Sequence, residues 1–246
     1  MALSLKSLRD SGKRTIERKL FMIPFLFTFL NAFFGLLAVV NTLDENYILA
    51  AYCILLAACM DFCDGRLARA FGSCSGLGME LDSLCDAVSF CFAPAILLYA
   101  WRLHEYGILG LLVVTGYLCA GLFRLAKFNS MQMNQMPYFL GLPTTFAAFF
   151  IANLVLAYGW VAQSPLYMIA SYKGLIAVIV SLAFLMPCTL RFSSFKRYNL
   201  NRAMGKSVMA ITGLACLVCL LAGYPVLFLI ALAYIVGNVA MNLFIQ

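Results

Sequence analysis

Eight apolar stretches, each near the length of a bilayer crossing, follow one another along the chain with little polar sequence between them. They run about 21–42, 47–70, 80–101, 107–128, 139–160, 172–190, 207–222 and 225–245. A helix needs about 20 apolar residues to cross the hydrocarbon. Inside lipid every backbone polar group must be satisfied within the protein, which leaves helices or closed barrels. The expected fold is therefore all-α, a polytopic transmembrane bundle of about eight helices. Charged residues make up 11% of the chain, against roughly a quarter in a soluble domain. Gly107, Pro137, Gly159, Pro187, Gly223 and Pro225 punctuate the junctions. No soluble domain, long linker, low-complexity tract or internal repeat is evident, and nothing points to nucleic acid as a partner.

The basic residues give an orientation. Eight spans place the N-terminus, the even-to-odd loops and the C-terminus on one side. Fifteen of the 17 Lys and Arg residues fall there, and only Arg102 and Lys173 fall on the other. Cytoplasmic loops carry such an excess, so both termini are expected in the cytoplasm. Residues 1–20 contain Lys6, Arg9, Lys13, Arg14, Arg18 and Lys19. They are expected to lie against anionic headgroups rather than to form a cleavable signal peptide. The 10 cysteines lie mostly in apolar runs. Cys216 and Cys219 form a CxxC without polar neighbours, which fits small buried residues better than a metal or redox site. His104, beside Glu105 at an exterior span end, has no expected catalytic or metal role.

Against this background the acidic residues stand out. Of 10 in the chain, Asp61, Asp64, Glu80, Asp82 and Asp86 fall within one short window. Acidic groups at membrane depth are costly and face a bundle interior or a wet cavity. Asp61 and Asp64 are spaced i,i+3, and Asp82 and Asp86 i,i+4, so each pair shares a helix face. If those helices are antiparallel neighbours joined by residues 71–75, the four carboxylates converge. Like charges oppose joint ionisation, and one or two divalent cations resolve the conflict. All-oxygen ligation suits Mg²⁺, Mn²⁺ or Ca²⁺. Gly65 and Gly78 remove side chains beside the carboxylates, so that a helix or a phosphate can approach. Arg66 and Arg69 supply guanidinium forks suited to phosphate oxygens. Metal, guanidinium and a carboxylate base together equip a site for phosphoryl transfer.

Asp61, Asp64, Gly65, Ala68, Arg69, Gly78, Asp82 and Asp86 fill every fixed position of the pattern D-x2-D-G-x2-A-R-x8-G-x3-D-x3-D. In this the chain resembles the CDP-alcohol phosphotransferase family. The resemblance implies a core of six transmembrane helices, a homodimer and a metal-dependent transfer that releases CMP. By the same resemblance Asp61, Asp64 and Asp82 are chiefly metal ligands. Asp86 is the candidate base and a further metal contact, and two ions are implied. Arg69, Ser75, Gly65 and Gly78 would meet the donor phosphates, with Thr28 and Asn31 lining the nucleotide pocket. Helix–helix hydrogen bonding is the plainer role for Thr28 and Asn31, and a turn or cap for Ser75.

Four further passages resemble the serine-accepting subgroup of that family. They are Pro24 to Gly35, with Thr28 and Asn31; Leu81 to Pro94; Arg124 to Asn129; and Phe139 to Pro143. They imply CDP-diacylglycerol as donor and L-serine as acceptor, with membrane lipids as surroundings. Phe25, Cys91 and Lys127 depart from the subgroup's usual Asn, Gly and Arg. The similarity spans about 20–195, giving an expected organisation of 1–20 as interfacial segment, 21–195 as core and 196–246 as a two-span extension. Serine is a zwitterion whose carboxylate needs a fixed cation, and Arg124, Lys127 and Asn129 are the candidate acceptor-binding group. The expected setting is the inner or cytoplasmic membrane with the site facing the cytoplasm. Two alternatives remain open: another acceptor, such as glycerol phosphate or inositol phosphate, and a divalent-cation transporter.

Overall fold

The computed structural model describes residues 25–71, 76–130, 139–188, 191–192 and 228–237. The segment 1–20, Ser75 and the apolar stretch 207–222 lie outside the described residues. The structure is helical: α1 Phe25–Leu43, α2 Tyr47–Phe71, α3 Gly76–Asp86, a π-helical stretch Ala87–Phe92, α4 Ala93–Trp101, a 3₁₀ turn Leu103–Tyr106, α5 Ile108–Ser130, α6 Thr144–Gln163, α7 Tyr167–Ala170, α8 Tyr172–Leu185 and α9 Phe228–Gly237. A two-residue antiparallel bridge, β1 Phe139–Leu140 with β2 Arg191–Phe192, is the extended pairing among the described residues.

Five helices are long and apolar enough to cross a membrane: Phe25–Leu43, Tyr47–Arg66, Gly76–Trp101, Ile108–Ser130 and Thr144–Gln163. They correspond to the first five expected stretches, making this a multi-pass membrane protein. The third begins four residues before the expected start at 80, because Gly76–Asp86, the π-helical stretch and α4 run on as one span of 26 residues. The fifth begins at Thr144 rather than 139, because Pro143 caps the helix and the residues before it form the bridge and a turn. The sixth stretch forms α8, whose 14 residues end at Leu185.

Local chemistry sets the turns. α1 ends in paired bonds, Asn46 N–H to the Asn41 carbonyl at 2.8 Å and Glu45 N–H to the Thr42 carbonyl at 3.1 Å. That is a Schellman closure, with Glu45 at φ 61° in the left-handed position. The Ser171 hydroxyl caps α8 by accepting from Gly174 N–H at 3.2 Å. Gly141 takes φ +74°, and a Cβ there would lie 2.2 Å from the Met186 carbonyl oxygen. The turn before α6 is thereby seated directly on the end of α8, and Leu142 N–H donates to the Leu185 carbonyl at 2.9 Å.

α2 packs chiefly on α6, and α5 on α8. Small residues line the α2–α6 contact: Ala50, Ala51, Ala57, Ala148 and Ala152 are buried together, with Ala38 of α1. Apolar burial gives little driving force between helices in lipid, so close backbone approach carries the packing. Outward faces are apolar as well. On α1, Leu26, Phe29, Phe33, Leu36 and Val40 are exposed, a stripe suited to acyl chains. α9 lays Phe228 on Phe150, with ring centroids 5.3 Å apart, and Tyr234 on Phe146 at 4.5 Å.

The two ends of the bundle differ. Tyr47, Arg102, Glu105, Tyr106, Tyr158 and Tyr172 gather at one end, where Tyr47 donates to the Ala100 carbonyl at 3.2 Å. There Arg102 sits 4.8 Å from the Tyr158 ring centroid and 4.0 Å from Glu105. Aromatic and amphipathic side chains suit a headgroup interface. The opposite end holds the aspartates.

Candidate active site and metal centre

α2 delivers Asp61 and Asp64 in its second half, and α3 delivers Asp82 and Asp86 close to its end. One ligand oxygen each from Asp61, Asp64 and Asp82 lies within 4.8 Å of the others. The i,i+3 spacing supplies the first two, and the antiparallel return of the third span supplies the third. Among the described residues, Asp64 Oδ2 and Asp82 Oδ1 are buried with no hydrogen-bond partner. Buried acceptors without donors are costly. A compact set of carboxylate oxygens with orphaned lone pairs fits a hard divalent cation. These three residues could hold a metal ion.

Asp86 lies beside this set, one helical turn beyond Asp82. Asn31 donates from Nδ2 to Asp86 Oδ1 at 3.0 Å. Asn31 is fully buried, so its amide faces a catalytic-candidate carboxylate inside the protein. Thr28, one turn earlier on α1, is hydrogen-bonded to Asp64. Both α1 residues therefore touch the aspartates.

A π-helical stretch begins directly after Asp86. Such insertions cluster at functional sites because they re-aim side chains. Three contacts hold this one in place. Ser89 donates to the Asn31 carbonyl at 2.9 Å. Tyr117, fully buried on α5, donates to the Phe90 carbonyl at 2.9 Å. Gly35 and Gly121 leave room for the stretch, since a Cβ at Gly35 would fall 2.8 Å from Ser89 Cα, and one at Gly121 2.6 Å from Cys91 Sγ. Cys91, which stands where the similar subgroup has Gly, is fully buried against Gly121.

Gly65 behaves differently. A Cβ there would meet no protein atom within 4 Å. Of the two reasons for a glycine at this position, a close helix contact is not what the described residues show at the Cβ position. Open space beside the carboxylates remains. Arg66 lays its guanidinium over the Phe62 ring at 3.9 Å. Arg69 lies on the last turn of α2 and Gly78 on the first turn of α3.

The end of α5 supplies the other polar residues. Arg124 is 9% exposed, which is rare for a guanidinium without a carboxylate partner. Its Nη1 donates to Thr144 Oγ1 at 3.4 Å, and among the described residues its buried Nε has no partner. It lies within electrostatic reach of Asp86. Asn129 accepts from Ser83 Oγ at 3.0 Å and donates to Glu80 Oε2 at 3.3 Å, tying α5 to α3. Lys127 is partly exposed on the same turn of helix.

Sequence reasoning missed Thr144 and Thr145. Thr145 donates from Oγ1 to Asp61 Oδ2 at 3.3 Å. The available signal was two adjacent hydroxyls at the start of an apolar helix, directly after the Phe139 to Pro143 passage. Ser83 and Glu80 were also left without a role.

Residues 21–184 match the family model described as CDP-alcohol phosphatidyltransferase. The chain belongs to that family. As a CDP-alcohol phosphatidyltransferase family member it is a transferase, and its aspartate triad sits where the family signature falls. The chain is 32% identical over 176 residues to a CDP-diacylglycerol–serine O-phosphatidyltransferase of Bacillus subtilis, covering 72% of this chain and 92% of that relative. A protein of the same description from Helicobacter pylori is 29% identical over 186 residues, covering 74% of this chain and 76% of the relative. One from Saccharomyces cerevisiae is 36% identical over 150 residues, with 54% and 53% covered.

Proposed function

We propose that the protein transfers the phosphatidyl group of CDP-diacylglycerol to L-serine, giving phosphatidylserine and CMP. The Asp61, Asp64 and Asp82 oxygen cluster beside Asp86 supports the reaction class. The serine acceptor is supported by the relatives' descriptions and by a buried guanidinium, Arg124, close to Asp86.

The serine hydroxyl attacks the lipid-side phosphorus in line, the bond from that phosphorus to the CMP oxygen breaks, and the hydroxyl proton passes to Asp86. Divalent cation held by Asp61, Asp64 and Asp82 would polarise the pyrophosphate and offset charge on departing CMP. Asn31 keeps one Asp86 oxygen engaged and turns the other toward the acceptor. The side of the cluster at Gly65 admits the donor phosphates, with Arg69, Ser75 and Gly78 as their binding residues and Thr28 steadying Asp64. Arg124 holds the serine carboxylate through its free Nε, assisted by Lys127. Asn129 closes the acceptor side, linked to α3 through Ser83 and Glu80.

In this reading two ions occupy the site, Mg²⁺ or Mn²⁺ with Ca²⁺ as a further candidate, and Asp86 contributes to the second. The core runs 21–195, the segment 196–246 adds two spans for a total of about eight, and residues 1–20 lie on the headgroups. The protein is a homodimer in the cytoplasmic or inner membrane. Its site faces the cytoplasm, where the basic residues concentrate.

An acceptor screen tests this directly. Purified protein with CDP-diacylglycerol and Mn²⁺ or Mg²⁺ should release CMP with serine and form phosphatidylserine, identified by mass spectrometry. CMP release with glycerol 3-phosphate and not with serine would overturn the acceptor. No CMP release with any alcohol would overturn the reaction class.

A further inference from the structure

Asp61 sits on α2 with Asp64, and their ligand oxygens lie within 4.8 Å of one another and of Asp82. A contact to Asp61 comes from 84 residues away, where Thr145 Oγ1 donates to Asp61 Oδ2 at 3.3 Å. Thr145 is well suited to hold a group still. Its β-branched side chain has few rotamers in a helix. It lies in the first turn of α6, directly after the Pro143 cap. That turn is itself docked, through Leu142 N–H to the Leu185 carbonyl at 2.9 Å and through Gly141, whose Cα packs on the Met186 carbonyl too closely for a Cβ. A rigid platform therefore presents one hydroxyl to one carboxylate oxygen. The neighbouring Thr144 instead accepts from the Arg124 guanidinium at 3.4 Å.

We propose that Thr145 is a positioning residue that presets the Asp61 carboxylate for divalent-cation binding. The inference rests on reading the aspartate cluster as a metal site. Groups that orient metal ligands typically change affinity 10- to 100-fold when removed.

The test is Mn²⁺ binding to the full-length protein in detergent, read from free Mn²⁺ by electron paramagnetic resonance without substrates. Thr145→Val keeps the shape and removes the hydroxyl, and should weaken Mn²⁺ binding about 10-fold. Thr145→Ser restores a donor and should bind within about 2-fold of wild type. Thr144→Val makes the same change one residue earlier and should also bind within about 2-fold, because its partner is Arg124. Unchanged affinity in Thr145→Val overturns the proposal while leaving the metal site standing. Equal weakening in Thr144→Val overturns it too, by showing that the turn and not the hydroxyl matters. Absence of Mn²⁺ binding by the wild type overturns both the proposal and the metal-site reading. If Thr145→Val does not purify folded, Thr145→Ala gives the same reading without added bulk.

Discussion

Asn31 and Asp86, 55 residues apart, meet through a 3.0 Å hydrogen bond from the Asn31 amide to Asp86 Oδ1. Asn31 also anchors the π-helical stretch, since its carbonyl accepts from Ser89 at 2.9 Å. A single buried residue of the first span thus sets both the candidate base and the backbone that follows it. Asn31→Ala should lower kcat about 10- to 100-fold, less than the roughly 10²–10⁴-fold that a positioned general base supplies, because the base is loosened and not removed. The KM for CDP-diacylglycerol should change less. A raised KM with kcat preserved would place Asn31 in the nucleotide pocket instead. Steady-state kinetics at saturating metal separates the two.

Asp82→Asn should nearly abolish turnover while the protein still inserts and folds. Among the described residues Asp82 Oδ1 is buried with no hydrogen-bond partner, so the change removes ligand charge at an oxygen open to a cation. Near-normal activity at limiting Mg²⁺ or Mn²⁺, with folding checked by size-exclusion chromatography, would contradict the metal-site reading.

Arg124→Ala should raise the KM for serine more than that for CDP-diacylglycerol. Its loss removes a buried cation with a free Nε. Lys127→Ala should do little, because an isolated ion pair at a wet site contributes about 1 kcal/mol or less. Equal effects of Arg124→Ala on both substrates would assign Arg124 to the donor phosphates or to structure.

Gly35→Ala should destabilise the protein by about 1–3 kcal/mol, the usual cost of overpacking. The added Cβ would fall 2.8 Å from Ser89 Cα, a backbone atom that cannot swing aside. A lowered Tm in detergent is the expected result. Gly65→Ala serves as contrast: its Cβ meets no protein atom within 4 Å, so Tm should hold while donor binding suffers. A Tm loss at Gly65 equal to that at Gly35 would argue against open space there.

The aspartate end should face the cytoplasm. In a cysteine-depleted background, Ser130→Cys should resist an impermeant thiol reagent in intact cells and Glu105→Cys should react. The reverse pattern would invert the topology drawn from the basic residues.

Much of this was legible in the order of residues because it depends on local periodicity. Apolar runs of bilayer length dictate spanning helices. Spacings of three and four put Asp61 with Asp64, and Asp82 with Asp86, on common faces, and antiparallel neighbours then bring carboxylates together. Three of the four form the compact cluster, and Asp86 lies beside it. What the tertiary structure alone decided are contacts between distant segments: Thr145 on Asp61 and Asn31 on Asp86. It also decided the π-helical stretch after Asp86, the seating of Cys91 against Gly121, and the empty space at Gly65. No periodicity encodes these. A hydroxyl at the head of an apolar helix is the same in sequence whether it caps, faces lipid or steadies a carboxylate. Only the packing of α6 against α2, with the turn before α6 seated on the end of α8, selects its partner, because in lipid close approach and scarce polar partners decide where each hydrogen bond goes.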